Sequence, residues 1–283
     1  IAKNLKIKSG KISIKRVSDQ EIYVNVLENV KRKNVCVLQS CSTPGNEYLM
    51  ELLIIIDALK KLKPKKITAL IPFYPYRRQE RKVEQGESIT AELVARLLET
   101  AGVDKVILVD IHSEKILKFF KRQVVHLTAL SLFVNYFKKK NLKDVMVIAP
   151  DQGVWQRNKK LAKSLGMPVA FIKKSRLGKH DVVPRMEVPK EVKNKNIIML
   201  DDEINTAGTI VKAAQLLKKQ GAKNIFVAAT HAVLSGPAIQ RIKKSPIKEV
   251  VVTDTIIIPK QKRIRKIKII SVAELFRKFS LRS

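Results

Sequence analysis

A short polar segment that follows an apolar run has the residue types of an anion-binding site. Residues 197–200 are apolar, Asp201 and Asp202 come directly after them, and the apolar residues in 210–217 have the spacing of an amphipathic helix. The intervening residues 205–209 are mostly small or carry hydroxyl groups, so backbone N–H groups could approach an anion at the positive end of that helix. Carboxylates at the end of a strand would bind polyol hydroxyls or a hydrated cation. The segment therefore predicts a sugar-phosphate site.

The same residues also have a simpler interpretation. Two acidic residues ahead of a Thr-Ala-Gly-Thr sequence could act only as favourable charges at the N-terminus of an ordinary helix. The segment has neither the Lys-Ser/Thr pair of an NTPase P-loop nor the G-x-G-x-x-G spacing of a dinucleotide-binding loop, so neither site is indicated. Taken alone, these residues leave both interpretations open.

Three other apolar runs are followed by polar residues that could bind a nucleotide. Residues 77–82 (RRQERK) follow one run, and His112 and Asp151 follow two others. Ligands of open parallel sheets bind outside the carboxyl ends of the strands. Guanidinium groups match phosphate oxygens, and His112 with Asp151 could ligate magnesium on a nucleoside triphosphate. The alternatives are a structural histidine and a solvated surface loop.

The candidate residues lie in a chain whose apolar runs, which predict strands, alternate with amphipathic runs, which predict helices. Residues 12–26 predict a β-hairpin with its turn at 18–20. The strand–helix alternation that follows indicates right-handed crossovers and a mostly parallel sheet covered on both faces. The pattern restarts near Asn141. The sequence therefore predicts an α/β protein with two domains, 1–140 and 141–283.

Composition and charge narrow the possible partners and location. The 283 residues include 57 lysines and arginines against 25 acidic residues, a net charge of +32 that attracts polyanions non-specifically. No motif for specific nucleic-acid binding is present. Cys36 and Cys41 lack metal-ligand spacing, which favours a reducing cytoplasm. We expect no signal peptide and no membrane partner, because no apolar run is long enough to span a bilayer.

Several motifs, in this order, resemble those of the ribose-phosphate diphosphokinase (phosphoribosyl pyrophosphate synthetase) family. Residues 74–82 (YPYRRQERK) are similar to its ATP-binding motif, and residues 106–120 (VILVDIHSEKILKFF) to its V-D-L-H motif. Residues 147–157 (VIAPDQGVWQR) are similar to its V-x-P-D motif, and residues 200–214 (LDDEINTAGTIVKAA) to its ribose-5-phosphate motif. The resemblance covers nearly the whole chain. It implies two tandem domains of the type I phosphoribosyltransferase fold, and a dimer or hexamer of identical chains.

The resemblance also implies a reaction and a role for each matching residue. The diphosphoryl group of Mg-ATP passes to the C1 hydroxyl of ribose 5-phosphate and AMP is released, with Mg²⁺ as cofactor. Lys174 and Arg176 would be the catalytic pair that closes over the transferred group. The binding residues implied are Asp19, Glu21, Arg78, Gln79 and His112 for ATP, with Asp19 and Glu21 on a loop that an adjacent subunit contributes; His112 and Asp151 for the metal; and Asp201, Asp202, Asn205, Thr206, Ala207, Gly208 and Thr209 for ribose 5-phosphate.

Three positions depart from the family pattern. Asn205 stands where the family usually has aspartate, Val154 replaces a glycine, and Val17 replaces a phenylalanine. Two hypotheses follow. We favour an active diphosphokinase, because the catalytic, metal and ribose residues named above are otherwise present. The alternative is a non-catalytic, synthetase-associated regulatory subunit of the same fold. A simple phosphoribosyltransferase is a weaker possibility, because it would need no ATP loop.

Overall fold

The structure is a computed structural model that describes residues 1–2, 7–175 and 185–278 of the chain. Contacts divide the chain into two compact units: Ile1–Thr128 with Val272–Ser283, and Ala129–Ser271. Each unit contains a parallel sheet flanked by helices, which confirms the predicted α/β class. The division falls before the helix at Leu130–Lys140, whereas the sequence-based boundary falls after it.

That helix belongs to the second unit because of what its side chains contact. The ring of Phe137 packs edge-on against Phe226, with 6.4 Å between the ring centroids. Lys140 forms an ion pair with Glu249 at 2.7 Å, and the hydroxyl of Tyr136 donates to the same carboxylate at 2.9 Å. The sequence pattern gave no sign of these contacts, since Glu249 lies more than 100 positions further along the chain.

The first unit combines a hairpin with a four-stranded parallel sheet. The hairpin pairs its strands antiparallel, as predicted, and the sheet has the order β3-β4-β5-β6. A 3₁₀ helix at Glu114–Phe119 occupies the place of a predicted α-helix. The elements are β1 (Ile12–Arg16), β2 (Ile22–Val26), β3 (Asn34–Leu38), α1 (Gly45–Lys61), β4 (Lys66–Ile71), α2 (Thr90–Ala101), β5 (Lys105–Val109) and β6 (Gln123–Leu127).

The second unit has a six-stranded parallel sheet of order β14-β13-β12-β11-β7-β8, and a separate two-stranded ribbon, β9 and β10. Its elements are α3 (Leu130–Lys140), β7 (Val145–Ala149), α4 (Trp155–Leu165), β8 (Val169–Phe171), β9 (Lys173–Ser175), β10 (Arg185–Glu187), β11 (Asn196–Ile204), α5 (Gly208–Lys219), β12 (Asn224–Ala232), α6 (Ala238–Lys244), β13 (Ile247–Thr253) and β14 (Ile267–Ile270).

Each unit has its own hydrophobic core, built from buried strands and from helices that include α1 and α2 in the first unit and α5 and α6 in the second. In α1 the buried residues Leu49, Leu52, Ile55, Ile56 and Leu59 recur every three or four positions, which is the period of a helix face against a sheet. The chain returns to the first unit after β14. A 3₁₀ helix at Val272–Lys278 brings the fully buried Phe276 against that core, where it lines an apolar cavity together with Val37 and Ile107.

Part of the large positive charge is used inside the fold. The ammonium of Lys266 donates to the carbonyl oxygens of Ile242, Lys243 and Ser245 at 3.1, 3.0 and 2.8 Å. These carbonyls lie at the end of α6, where the helix dipole favours a cation. Desolvation lowers the pKa of this lysine. Within the described ranges, no helix is long and apolar enough to cross a membrane.

Candidate active site

The second unit's sheet reverses its strand order between β7 and β11. From β7 the chain passes outward to β8 on one side, and from β11 outward to β12, β13 and β14 on the other. β7 and β11 pair over only three residues, ending at Val147 with Ile198. Such a reversal opens a crevice at the carboxyl ends of the two strands, and ligands bind there. Asp151 follows β7 and the Asp201–Asp202 pair lies near the end of β11, so both segments border this crevice.

The Asp201–Asp202 pair lies within β11 and not after it, which corrects the position predicted from the sequence. β11 continues to Ile204, two residues beyond the pair. The backbone N–H of Asp202 donates to Asp201 Oδ1 at 2.8 Å. The pKa of Asp201 is raised to about 8, first by burial and then by the neighbouring carboxyl groups of Asp202 and Asp151. A cation or a hydroxyl donor in the crevice would relieve this repulsion.

The Asp151 turn, residues 151–154, forms the other side of the crevice. Asp151 Oδ1 accepts hydrogen bonds from the backbone N–H groups of Gly153 at 2.9 Å and Val154 at 3.4 Å. Val154 is the residue before α4 and has φ of −101°, which lies outside the left-handed region that favours glycine. Valine therefore fits the backbone of this turn without strain, although the sequence comparison singled it out as a departure.

The phosphate loop predicted at 205–209 connects β11 to α5. Ala207 has φ of 60°, which turns the chain sharply into the helix, and α5 begins at Gly208. In the described part of the chain no side chain caps this helix, while Thr206 and Thr209 are exposed. The N-terminal N–H groups of α5, together with two hydroxyls, are therefore arranged to bind an anion.

Asn205 is the first residue of this loop, and its backbone is held by hydrogen bonds from the segment between β12 and α6. Its carbonyl oxygen accepts from Ser235 N–H at 3.0 Å, and that of Ile204 accepts from Leu234 N–H at 2.9 Å. Among the described residues, nothing donates a hydrogen bond to the buried Asn205 Oδ1. The asparagine thus places a buried acceptor at the start of the loop, without the charge that an aspartate would add.

Two residues at this site could not be recognised from the sequence. Arg241 on α6 donates from Nη1 to the carbonyl of Thr206 at 3.0 Å, and a Cβ atom at Gly208 would lie 3.3 Å from that nitrogen. A guanidinium therefore sits against the phosphate loop. Asn158 on α4 is fully buried and hydrogen-bonded to Leu200 of β11. Each of these two hydrogen bonds joins residues that are 35 or more positions apart in the sequence, so no local pattern predicts it.

In the first unit, the arginine-rich loop after β4 is fastened to the start of α2. The hydroxyl of buried Tyr74 donates to Ala91 O at 2.9 Å, and Gln79 Oε1 accepts from the Thr90 hydroxyl at 2.6 Å. Arg77 is buried, with its guanidinium carbon 4.7 Å from the centre of the Phe73 ring. Arg78 is exposed to solvent. Arg77 therefore supports the loop from inside, whereas Arg78 lies on the solvent-exposed side.

The other first-unit candidates lie on exposed turns. His112 is exposed just beyond β5, ahead of the 3₁₀ helix that Ser113 caps. Asp19 and Glu21 are exposed on the hairpin turn, where Asp19 Oδ1 accepts from Glu21 N–H at 3.3 Å. Val17 beside them is 42% exposed. All four residues are thus exposed to solvent, and the roles of His112, Asp19 and Glu21 in binding ATP remain predictions.

The predicted catalytic pair is only partly described. Lys174 lies in β9, where its backbone pairs with Met186 of β10, and Arg176 lies outside the described residues. Within the described ranges, no group of three or more His, Cys, Asp or Glu side chains is arranged to hold a metal ion. His112 belongs to the first unit and Asp151 to the second, so their joint role as metal ligands remains a prediction.

A carboxylate pair and a small-residue phosphate loop at the strand-order reversal of a parallel sheet define a phosphoribosyltransferase-type α/β protein. Residues 1–102 match the family model described as the N-terminal domain of ribose phosphate pyrophosphokinase, and residues 156–282 match the phosphoribosyl synthetase-associated domain. The chain belongs to the ribose-phosphate pyrophosphokinase family.

Similarity to individual members extends over nearly the whole chain. The chain is 46% identical over 275 residues to the ribose-phosphate pyrophosphokinase of Bacillus caldolyticus, covering 97% of this chain and 87% of that one. It is 46% identical over 283 residues to that of Caldanaerobacter subterraneus, covering 100% and 89%. The crystal structure of phosphoribosylpyrophosphate synthetase from Mycobacterium smegmatis superposes with a TM-score of 0.90 at 41% identity, covering 98% and 91%.

Proposed function

We propose that the protein is a ribose-phosphate diphosphokinase, a transferase that makes phosphoribosyl pyrophosphate and AMP from ATP and ribose 5-phosphate. The observation that carries the proposal is the crevice between β7 and β11, where carboxylates from two strand ends lie beside a loop suited to a phosphate. Sugar hydroxyls and a 5-phosphate are the two kinds of group that these residues would bind. Near-full-length similarity to ribose-phosphate pyrophosphokinases supports the same reaction.

The residues of the second unit hold and orient the ribose. The loop from Thr206 to Thr209 and the N-terminal N–H groups of α5 bind the 5-phosphate, and Arg241 adds positive charge beside them. Asp201 and Asp202 accept hydrogen bonds from the ribose hydroxyls. Holding the sugar at both ends fixes its C1 oxygen, which attacks the β-phosphorus in line with the leaving AMP.

The first unit and the ribbon supply the remaining charges. Arg78, Gln79 and His112, with Asp19 and Glu21 from a neighbouring subunit, bind ATP. Lys174 and Arg176 stabilise the negative charge that spreads over the transferred group. No side chain forms a covalent intermediate, because the ribose hydroxyl is itself the nucleophile.

The donor set suits Mg²⁺. Asp151 offers the hard oxygen ligand that Mg²⁺ prefers, and Asp201 and Asp202 lie close enough to add negative charge beside it, as the raised pKa of Asp201 indicates. Mg²⁺ usually takes one or two protein carboxylates and fills its other positions with water and substrate phosphate, so the described residues need not form a complete cage. When bound, the ion would neutralise phosphate charge; Asp151 and His112 are the ligands that we propose.

Two further proposals concern the setting of the enzyme. A reducing cytoplasm suits Cys36 and Cys41, which are both free thiols, with pKa values that burial raises to about 11 and about 12. Assembly into a homo-oligomer would complete the ATP site, if Asp19 and Glu21 act across a subunit boundary as the resemblance implies.

The test is release of AMP from Mg-ATP in the presence and absence of ribose 5-phosphate. The parent chain should release AMP only when the sugar phosphate is present. Lys174→Ala should lower kcat by about a hundredfold or more, the usual cost of removing a group that stabilises transition-state charge. Lys173→Ala is the matched control, because Lys173 precedes Lys174 on β9 and its replacement removes the same charge.

The same assay decides between the enzyme and the non-catalytic subunit. If neither the parent nor Asn205→Asp releases AMP while both remain folded, the enzyme proposal fails and the regulatory subunit replaces it. If Lys174→Ala turns over as fast as the Lys173→Ala control, then the reaction stands and our assignment of Lys174 is wrong.

A further inference from the structure

A single buried amide joins the two carboxylate segments of the site. Asn158 on α4 has no solvent exposure. Its Nδ2 donates to the carbonyl oxygens of Leu200 at 2.7 Å and Val154 at 2.9 Å, and its Oδ1 accepts from Leu200 N–H at 2.9 Å. Both amide hydrogens and one oxygen lone pair are therefore used, which is the condition under which a polar group is tolerated in a core.

These contacts lie at the place where the sheet opens. β7 and β11 stop pairing after Val147 and Ile198, so the backbone of Leu200 has no ladder partner on the β7 side. Asn158 takes that position and bonds both the N–H and the C=O of Leu200, as a neighbouring strand would. Leu200 is covalently joined to Asp201, and Val154 ends the Asp151 turn.

We infer that Asn158 is a positioning residue that sets the spacing between the Asp151 turn and the Asp201–Asp202 pair. The inference deepens the proposed function, because these carboxylates are the residues proposed to bind the ribose and the metal. Residues behind a metal or substrate ligand typically change affinity or activity by about 10- to 100-fold when they are replaced. We expect a loss in that range.

Asn196 provides a matched control. Asn196 carries a second buried amide, 7% exposed, and is the first residue of β11, the strand that Asn158 contacts near its other end. Its Nδ2 donates to Lys143 O at 2.7 Å, and its Oδ1 accepts from Asn224 Nδ2 at 2.8 Å. Replacing Asn196 therefore removes comparable hydrogen bonds from β11 at the end remote from the carboxylates.

The experiment compares Asn158→Ala, Asn158→Leu and Asn196→Ala with the parent chain. Leucine has the same branched shape as asparagine and is somewhat larger, so that variant removes the hydrogen bonds without leaving a cavity. Unfolding in urea reports the stability lost, and AMP release gives kcat and KM for ribose 5-phosphate. Both Asn158 variants should lose about 10- to 100-fold in kcat/KM, and Asn196→Ala should stay within about twofold of the parent at a similar loss of stability.

A measurement without substrate separates this inference from the proposed function. The Asp202 amide donates to Asp201 Oδ1, so its hydrogen exchange reports the geometry of the carboxylate pair. It should exchange faster in both Asn158 variants than in Asn196→Ala. A parent chain that releases no AMP refutes the proposed function alone. Unchanged exchange at Asp202 in the Asn158 variants, or equal kinetic losses in Asn158→Leu and Asn196→Ala, overturns the positioning role.

Discussion

Replacing Asp201 with asparagine should make the stability of the metal-free protein less dependent on pH. The pKa of Asp201 is raised from 3.8 to about 8, first by desolvation and then by Asp202 and Asp151. Between these values the folded protein keeps a proton that the unfolded chain releases. The free energy of unfolding therefore falls as the pH rises from about 4 to about 8, and Asp201 contributes no slope below or above that range.

The size of the effect has an upper limit. Each pKa unit corresponds to about 1.4 kcal/mol, so a rise from 3.8 to about 8 corresponds to at most about 6 kcal/mol. Solvent reaches part of the carboxyl group, and Asp202 shares the titration, so we expect roughly 2 kcal/mol of pH-dependent destabilisation in practice. Asparagine keeps the oxygen that accepts from Asp202 N–H but cannot ionise.

The assay is urea unfolding at intervals between pH 4 and pH 9 with a chelator present. The parent should lose about 2 kcal/mol more across this range than Asp201→Asn, which should be the more stable of the two at pH 9. Asp57→Asn serves as the control, because Asp57 is half exposed on α1 and its replacement should leave the slope unchanged. Identical slopes for the parent and Asp201→Asn would show that the pKa of Asp201 is not raised in the folded protein.

Four shorter predictions concern the same surfaces. At pH 8, Mg²⁺ should stabilise the parent against urea more than it stabilises Asp201→Asn; equal gains would place the ion elsewhere. Arg78→Ala should raise KM for ATP about tenfold or more, the value of one charged hydrogen bond, and an unchanged KM would contradict its role. Arg241→Met should weaken ribose 5-phosphate binding about tenfold by calorimetry, whereas unaltered affinity would leave it a structural residue. Lys140→Met should lower the free energy of unfolding by about 2 kcal/mol in urea, and the double variant with Glu249→Gln should recover part of the loss; additive losses would contradict the pairing.

The alternation of strands and helices could be predicted from local patterns because those patterns are strong here. β7 is buried along its length and wholly apolar, and the buried strands β11 and β12 each contain a continuous apolar run, at 197–200 and 225–229. The same local patterns do not single out β6 or β14. β6 is short and only partly buried, and β14 has two exposed residues among four, so neither forms a clear apolar run. Tertiary pairing decides such segments.

Some residues of the candidate site could also be predicted from local sequence patterns, whereas others could be identified only from the fold. The carboxylate pair and the phosphate loop are contiguous in sequence, and their place beside Asp151 follows from the rule for parallel sheets. Arg241 and Asn158 reach the site from helices far along the chain, so only the fold reveals them. Gln79 was predicted as an ATP ligand, and the structure adds a second task, since its side chain also fastens the loop to α2.

The return of residues 272–278 to the first unit has a consequence for how the protein is made. Val272, Ala273 and Phe276 are buried and belong to the first unit, so that unit lacks these three side chains until the ribosome has synthesised the whole second unit. The second unit is continuous from Ala129 to Ser271 and needs nothing translated later. Domains usually complete folding from the N-terminus onward during synthesis. In this chain the second unit can therefore complete its folding first, and the first unit completes its folding only after residues 272–278 have been synthesised.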